Sequence, residues 1–156
     1  MMAGNRFKKP FFKTLFWHQN KWHRYGIIKH SLAVVSHLIK MEEYKMIPAG
    51  LLHDIGKAYA AYYDAEDIAG GCVDCSFTAH EDFGYHIIKN WTGWLVSDYT
   101  KNIVRYHYLI RALGKEKKRN PNKYRRLKRI WDKLDDDFKK DLKVFLLADD
   151  LGKKGF

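Results

Sequence analysis

The chain has 156 residues, 46% hydrophobic and 15% aromatic, and its 29 Lys and Arg against 18 Asp and Glu give a net charge of +11. This length fits one domain that buries roughly 70% of its unfolded surface, and the aromatic content excludes an intrinsically disordered chain. No apolar stretch approaches the ~20 residues that cross a bilayer, and a chain with two cysteines cannot build a disulfide framework. We therefore predict one cytoplasmic domain over residues 1–156 with no membrane partner, and the sequence leaves the oligomeric state open.

The N-terminal arm, residues 1–22, mixes basic and aromatic side chains, as in Arg6-Phe7-Lys8. Such a mixture suits contact with single-stranded nucleic acid. It suits an arm packed against the domain equally well, and we favour that interpretation. The arm lacks the continuous apolar stretch and the cleavage site of a signal peptide.

Hydrophobic residues recur at helical spacing through most of the chain, with no convincing strand pair. The pattern predicts an all-α fold, a compact bundle of five to seven helices. Residues 62–78 are expected to form a long loop, a kind of segment that is often functional. Helices are predicted over residues 27–41, 48–59, 79–91 (capped by Thr78), 98–113 (ended by Gly114), 123–134 (capped by Asn122) and from Asp135 onward.

A strongly basic segment covers residues 111–129, with ten Lys and Arg residues and a single acid, Glu116. Such a concentration of charge is typical of a surface that binds a polyanion, here RNA or DNA. A solvated surface without a partner is the other interpretation, because charge runs alone are weak indicators. The residues predicted to contact the polyanion are Arg111, Lys115, Lys118, Arg125, Arg126 and Arg129.

Histidine and aspartate side chains interrupt several apolar stretches. His53 and Asp54 are adjacent in LLHDIGK, where a buried aspartate is costly unless it is paired or bound to a metal. A single histidine on an apolar face is more often a hydrogen-bonded core residue than a ligand. Several together provide the imidazole and carboxylate mixture that suits Zn, Fe, Mn, Co or Ni. The candidate metal ligands are His30, His53, Asp54, His80, His107 and Asp149.

Other candidates remain open. Asp150 competes with Asp149, and His37 is expected to line the same pocket because it lies on the same side of its helix as His30. Cys72-x-x-Cys75 has zinc-like spacing but no second cysteine pair, and a structural zinc site needs four ligands. Further histidines that could approach the site are His18, His23 and His86.

The ordered set His30, His53-Asp54, His80-x-x-x-Gly84, His107 and Asp149 resembles the HD-domain phosphohydrolase superfamily over residues 27–152. The His80 segment is most similar to the corresponding helix of HD-GYP phosphodiesterases and of HD domains appended to tRNA nucleotidyltransferases. Tyr108 stands where HD-GYP proteins carry a second histidine, and the GYP tripeptide is absent. These two departures argue against cyclic di-GMP as the substrate. Lys57 stands where 5′-deoxynucleotidase-like members carry an acid.

The resemblance implies a role for each residue. His30, His53, Asp54 and Asp149 would hold one divalent transition metal. Asp54 would bridge to a second metal completed by His80 and His107. The implied catalytic residues are Asp54 and Lys57, with Lys57 contacting a substrate phosphate or the leaving oxygen.

The sequence thus predicts a metal-dependent phosphohydrolase with one or two ions of Mn, Fe, Ni, Co or Zn. Its substrate is expected to be a phosphoester of a nucleotide or nucleic acid, with a phosphodiester favoured over a monoester. The alternative is a nucleic-acid-binding or regulatory HD module that performs no turnover.

Overall fold

The computed structural model describes residues 6–8, 15–16, 19, 23, 25–64, 76–77, 79–92 and 94–156. This part of the chain forms the predicted all-α bundle, with six helices of nine residues or more and two short ones. None of its helices combines the length and the hydropathy needed to span a lipid bilayer. The helices are α1 (Ile27–Lys40), α2 (Ile47–Leu52), α3 (Lys57–Ala60), α4 (His80–Thr92), α5 (Asp98–Tyr106), α6 (Leu109–Arg119), α7 (Pro121–Lys133) and α8 (Asp136–Lys154).

Two of the predicted helices are broken in the structure. The helix expected over residues 48–59 divides into α2 and α3, with a turn between them that contains His53 and Asp54. The helix expected over residues 98–113 divides into α5 and α6 at His107 and Tyr108, and α6 then continues through Gly114. Gly114 does not end the helix, because a solvent-facing glycine lowers helix stability without forbidding helical geometry.

Two predicted helix starts also change. Asn120, not Asn122, caps α7: its side-chain oxygen accepts from the Lys123 backbone N–H at 3.0 Å, and Pro121 occupies the first turn. Proline suits this position because its missing N–H would have no partner within the helix. Helix α4 begins at His80, one residue later than predicted, and the expected cap, Thr78, lies outside the described residues.

A small antiparallel sheet, which the sequence did not predict, lies beside the bundle. It has the order β1 (Arg6–Lys8), β2 (Ala61–Asp64) and β3 (Ser76–Phe77). Strands of two to four residues carry too little alternation to be recognised from sequence. Parts of the predicted loop over residues 62–78 are therefore strand, and Cys72 and Cys75 lie outside the described residues.

The core forms where α8 crosses α1. Gly152 of α8 makes this crossing close: a Cβ there would meet the Val34 Cγ2 at 2.7 Å and the Val34 backbone nitrogen at 3.0 Å. The close approach brings Asp149, one turn earlier on α8, over His30 of α1. The central buried side chains are Val34, Leu38, Met46, Ala49, Ile103, Leu142, Phe145 and Ala148.

Helix α8 begins at Asp136, next to the predicted start, and Asp135 caps it, because its Oδ1 accepts from the backbone N–H groups of Asp137 and Phe138, both at 2.9 Å. We expect Asp135→Ala to lower the free energy of unfolding by about 1 kcal/mol. Chemical denaturation measures the change, with Asp132→Ala on the exposed face of α7 as the control. A loss no larger than that of Asp132→Ala would contradict the capping role.

Candidate metal centre

The turn between α2 and α3 places His53 and Asp54 side by side in the protein interior, both at most 1% exposed. Gly56 lets this turn contact the first turn of α4 directly. A Cβ at Gly56 would lie 1.9 Å from the His80 carbonyl oxygen and 2.6 Å from the Gly84 nitrogen. The backbones of Gly56 and Gly84 are therefore in direct contact.

Four histidines from different parts of the chain direct Nε2 toward the Asp54 carboxylate. His53 and His30 lie 3.3 and 3.6 Å from Oδ2. His80 and His107 lie 3.5 and 3.9 Å from Oδ1. Asp54 therefore stands between two groups of imidazoles, one at each carboxylate oxygen.

Backbone carbonyls fix the ring orientation of three of these histidines. The Nδ1–H of His53 donates to the Gly50 carbonyl at 2.9 Å, that of His80 to Phe77 at 3.0 Å, and that of His107 to Val104 at 2.7 Å. In each case the acceptor is three residues earlier in the chain. Such outer hydrogen bonds orient metal-binding histidines in proteins, and here they leave each Nε2 aimed inward.

Asp149 of α8 completes the group around His30 and His53. Its Oδ1 lies 3.0 Å from His30 Nε2 and 3.7 Å from His53 Nε2, and its Oδ2 accepts from Lys153 at 2.8 Å. Asp150, the competing candidate, pairs with Arg111 and Lys153 instead. The structure therefore places Asp149, and not Asp150, beside the histidines.

The charges in the cluster follow from burial and from these neighbours. Burial, together with the positive charge of Lys57, lowers the pKa of His80 to about 3. Burial and His53 lower the pKa of His107 to about 4. Burial favours protonation of Asp54, but the charges of His53 and Lys57 outweigh it and hold its pKa well below the usual range. His80 and His107 are therefore neutral beside an ionised carboxylate at neutral pH.

His53 behaves differently because two carboxylates face it. Burial lowers its pKa, but the charge of Asp54 and the proximity of the Asp149 carboxylate dominate and raise the pKa to about 9. Burial likewise raises the pKa of Asp149, but the hydrogen bond from His30 and the nearby charge of His53 outweigh burial and hold the pKa well below its usual range. In the absence of a metal, a proton on His53 supplies part of the positive charge between the carboxylates.

The donor set fits a divalent transition metal. Neutral His80 and His107 direct lone pairs at the anionic Asp54 Oδ1, an arrangement of acceptors that repel one another unless a cation lies between them. Ligands about 2.1 Å from a tetrahedral metal are about 3.4 Å apart, close to the separations observed.

Ligating atoms lie within 4.8 Å of one another in three overlapping groups. Two of the groups are His30 with His53 and Asp149, and Asp54 with His80 and His107. The family resemblance implied the same residues, with Asp54 belonging to both sets. The third contains His23, which was among the histidines left open, with His30 and Asp54. Residues His30 and Asp54 therefore link all three groups into one cluster, and its imidazole and carboxylate composition suggests binding of divalent metal ions.

We expect added metal to stabilise the folded chain, because the cluster exists only when several helices are assembled. At a free metal concentration 100 times Kd, the gain is about 2.7 kcal/mol, which raises Tm by roughly 5–10 °C. Differential scanning fluorimetry of chelator-treated protein with Mn²⁺, Co²⁺, Ni²⁺ or Zn²⁺ measures this shift. An unchanged Tm with all four ions would contradict metal binding by the cluster.

Lys57 also contacts the cluster, through Asp54 and His23. Its Nζ donates to Asp54 Oδ2 at 2.7 Å and to Gln19 Oε1 at 3.0 Å, and lies 3.3 Å from His23 Nε2. Lys57 lies four residues after His53, but the helix breaks between them and Lys57 pairs with Asp54. Buried Gln19 carried no sequence signal, because it lies in a segment without periodicity.

A cleft of about 1080 Å³ opens over the cluster and extends along α6 and α7. Its lining includes Asp54, His80 and His107 of the cluster, and the α6 and α7 side contributes four basic residues and one acid: Arg111, Lys115, Lys123, Arg126 and Glu116. Of the basic residues predicted to contact a polyanion, Arg111, Lys115 and Arg126 line the cleft. Lys118, Arg125 and Arg129 are not among its lining residues. Lining residues that the sequence did not indicate include Glu81, Arg105, Tyr106 and Lys123.

The remaining candidate histidines are placed elsewhere. His37 does not line the cleft as expected: its Nε2 bonds the Gly155 carbonyl at 2.8 Å, because the end of α8 lies against α1. His86 lies on the exposed face of α4 against Tyr85. His18 lies outside the described residues.

Comparison with known proteins agrees with the geometry. The family model described as HD domain matches residues 27–137, which include five of the six predicted metal ligands. Gln19, His23 and Asp149 lie outside the matched residues. No curated protein and no solved structure shows a significant match. Since the family model covers most of the chain, the protein belongs to the HD-domain family, whose members are generally metal-dependent hydrolases.

Proposed function

We propose that the protein is a metal-dependent phosphohydrolase that cleaves a phosphoester of a nucleotide or nucleic acid, with a phosphodiester favoured. The observation that carries the proposal is the position of Asp54, which separates two groups of inward-facing imidazoles at the floor of a basic cleft. We further propose that residues 1–156 act as one cytoplasmic domain, with the N-terminal segment included in the site.

We propose His30, His53 and Asp149 as ligands of one divalent ion and His80 and His107 as ligands of a second, with Asp54 bridging them. Divalent ions in such a centre polarise a phosphoryl group and make water a better nucleophile at neutral pH. The chain's own contribution is orientation. Three backbone carbonyls fix the histidine rings, and Lys57 fixes one oxygen of Asp54.

The cleft supports a nucleotide or nucleic-acid substrate by its size and its lining. Its volume lies at the upper end of the range of roughly 300–1,000 Å³ typical of small-molecule pockets, so a substrate can extend beyond the reacting phosphate. Arg126 and Lys115 offer positive charge at a distance from the metal cluster. The Tyr106 and Tyr108 rings near His107 could stack on a base.

The preference for a diester also draws on the His80-x-x-x-Gly84 pattern, which resembles the HD-GYP phosphodiesterases and the tRNA nucleotidyltransferase HD domains. At Gly84 a Cβ would meet the Val104 Cγ1 at 3.2 Å and the Gly56 nitrogen at 3.6 Å, so this position is closely packed against both residues. A free nucleoside monophosphate remains the second choice of substrate within the same chemistry.

Substitutions of two adjacent arginines on α7 can distinguish a substrate contact in the cleft from attraction by the net charge of the helix. We expect Arg126→Ala to raise KM for an oligonucleotide about tenfold, because a charge-assisted contact in the cleft is lost. We also expect the salt dependence of log KM to fall by about one unit of slope. Steady-state kinetics at several salt concentrations measure both effects.

Arg125→Ala is the matched control, since Arg125 bonds Asn122 and is not among the residues that line the cleft. Its KM should change less than twofold. Equal effects of the two substitutions would show that the net charge of α7, rather than the cleft, attracts the substrate.

A substrate panel tests the proposed reaction class. Mn²⁺-loaded protein is compared on bis-(p-nitrophenyl) phosphate, p-nitrophenyl phosphate, cyclic nucleotides, nucleoside monophosphates and short oligonucleotides. We expect turnover of diesters to exceed that of monoesters. Activity confined to monoesters would overturn the diester preference, and metal-loaded protein that binds nucleic acid without any turnover would favour the binding module instead.

A further inference from the structure

The surroundings of Lys57 point to a function for the N-terminal segment. A lysine ammonium has three N–H donors. Here three acceptors surround it: Asp54 Oδ2 at 2.7 Å, Gln19 Oε1 at 3.0 Å and His23 Nε2 at 3.3 Å. The Phe77 ring lies 5.3 Å from the same nitrogen, within cation–π distance. In this arrangement each donor of Lys57 has a partner within the protein.

The acceptors are themselves held in place. Gln19 is fully buried, and its Nε2 donates to the Tyr25 carbonyl at 3.1 Å, which fixes the amide so that Oε1 faces Lys57. The His23 ring stands edge to face against His30, with 5.0 Å between ring centroids. Asp54 is held within the metal cluster. This is a built pocket for a cation, and Lys57, which is 5% exposed, fills it.

The same position has the composition of a metal site. His23, His30 and Asp54 offer ligating atoms within 4.8 Å of one another, and the Lys57 ammonium contacts two of these three residues. A metal ion and the ammonium cannot share His23 Nε2, because that nitrogen has a single lone pair and the Lys57 ammonium already contacts it at 3.3 Å. The two occupants are therefore alternatives.

We propose that Gln19, His23 and Asp54 form a third cation position of the cluster, beside the two proposed metal positions. The Lys57 ammonium occupies this position in place of a metal ion. Gln19 and His23 are then positioning residues that hold Lys57 against Asp54. The N-terminal segment is part of the site although it lies outside the residues matched by the family model. The inference rests on metal binding by the cluster, which belongs to the function proposed above.

Counting bound metal tests the proposal without an activity assay. Chelator-treated wild type, Lys57→Met and the double variant Lys57→Met/His23→Ala are dialysed to equilibrium against Mn²⁺, and bound Mn²⁺ per chain is measured by mass spectrometry of the element. Methionine retains the length of the lysine stem and removes the ammonium. We expect Lys57→Met to bind one more ion than wild type, and the double variant to return to the wild-type number.

Equal Mn²⁺ contents of wild type and Lys57→Met would overturn the proposal, as would an additional ion that persists without His23. The wild-type content reports separately on the function proposed above. Wild type that binds no Mn²⁺ would contradict that function. The difference in bound Mn²⁺ between Lys57→Met and wild type tests the third position independently of that result.

A second measurement uses wild-type Lys57 and does not depend on the folding of Lys57→Met. Acetylation of Lys57 by a succinimidyl ester is followed by peptide mass spectrometry, with exposed Lys40 as the internal reference. We expect Gln19→Ala to accelerate Lys57 acetylation about tenfold or more, since one hydrogen bond to a charged group is lost. Gln19→Glu, which retains an acceptor oxygen, should restore protection, and equal rates in all three proteins would overturn the positioning role.

Discussion

Asp54→Asn is expected to abolish metal-dependent hydrolysis. Among the described residues, Asp54 alone has carboxylate oxygens facing both groups of histidines, at 3.3 and 3.6 Å on one side and 3.5 and 3.9 Å on the other. Asparagine retains the shape but removes the charge, and its amide nitrogen cannot act as a second anionic ligand. Mutation of a residue that hydrogen-bonds to a metal ligand typically lowers metal affinity or activity by roughly 10–100-fold. Because Asp54 is proposed as a ligand shared by both ions, its substitution should lower kcat/KM and metal affinity by more than ~100-fold.

The matched control is Asp132→Asn, which makes the same chemical change on the exposed surface of α7, where Asp132 pairs with Lys128. Its metal content and kcat/KM should equal those of wild type. Metal content is measured after equilibrium dialysis, and hydrolysis under the same conditions. Full metal binding and turnover by Asp54→Asn would exclude Asp54 as the shared ligand.

Gly56→Ala is expected to cause the largest loss of stability from a single methyl group. The added Cβ would lie 1.9 Å from the His80 carbonyl oxygen and 2.9 Å from its carbon, so the backbones of two segments must separate. The φ of Gly56, −63°, is accessible to alanine, and the cost is therefore steric. We expect a loss of about 3 kcal/mol, which lowers Tm by roughly 6–12 °C, together with weaker metal binding because His80 moves away from Asp54.

Gly114→Ala is the control for this substitution. Gly114 lies within α6, and a Cβ there would meet no atom within 4 Å. Alanine should stabilise the helix by about 0.5–1 kcal/mol and leave metal binding unchanged. Thermal melts and metal titrations of both variants provide the comparison. A Gly56→Ala protein as stable as wild type would mean that the turn and α4 are not in the close contact described.

Most of the cluster could be predicted from the sequence because its residue types are unusual where they occur. His30, His53 and Asp54 are charged or polar groups within apolar helical stretches, where burial is costly without a partner. The structure brings these three together with His80, His107 and Asp149. The core helices α1 and α8 could also be predicted, since both show apolar periodicity over several turns.

The elements that the sequence did not predict depend on contacts between distant segments. The breaks at His53 and His107 interrupt good helical patterns, and they exist where the histidine rings turn into the cluster and Nδ1 bonds a preceding carbonyl. Gln19 and Lys57 are 38 residues apart, and only the folded chain brings them together. The choice between Asp149 and Asp150 also depends on the fold, because Asp150 pairs with Arg111 on another helix.

The most direct measurement is release of p-nitrophenol from bis-(p-nitrophenyl) phosphate by chelator-treated wild type, before and after Mn²⁺ is added. We expect no release without metal, release that saturates with Mn²⁺, and none from Asp54→Asn under the same conditions. Metal-loaded wild type that cleaves neither this diester, nor p-nitrophenyl phosphate, nor any nucleotide or oligonucleotide of the panel would contradict a phosphohydrolase centred on Asp54.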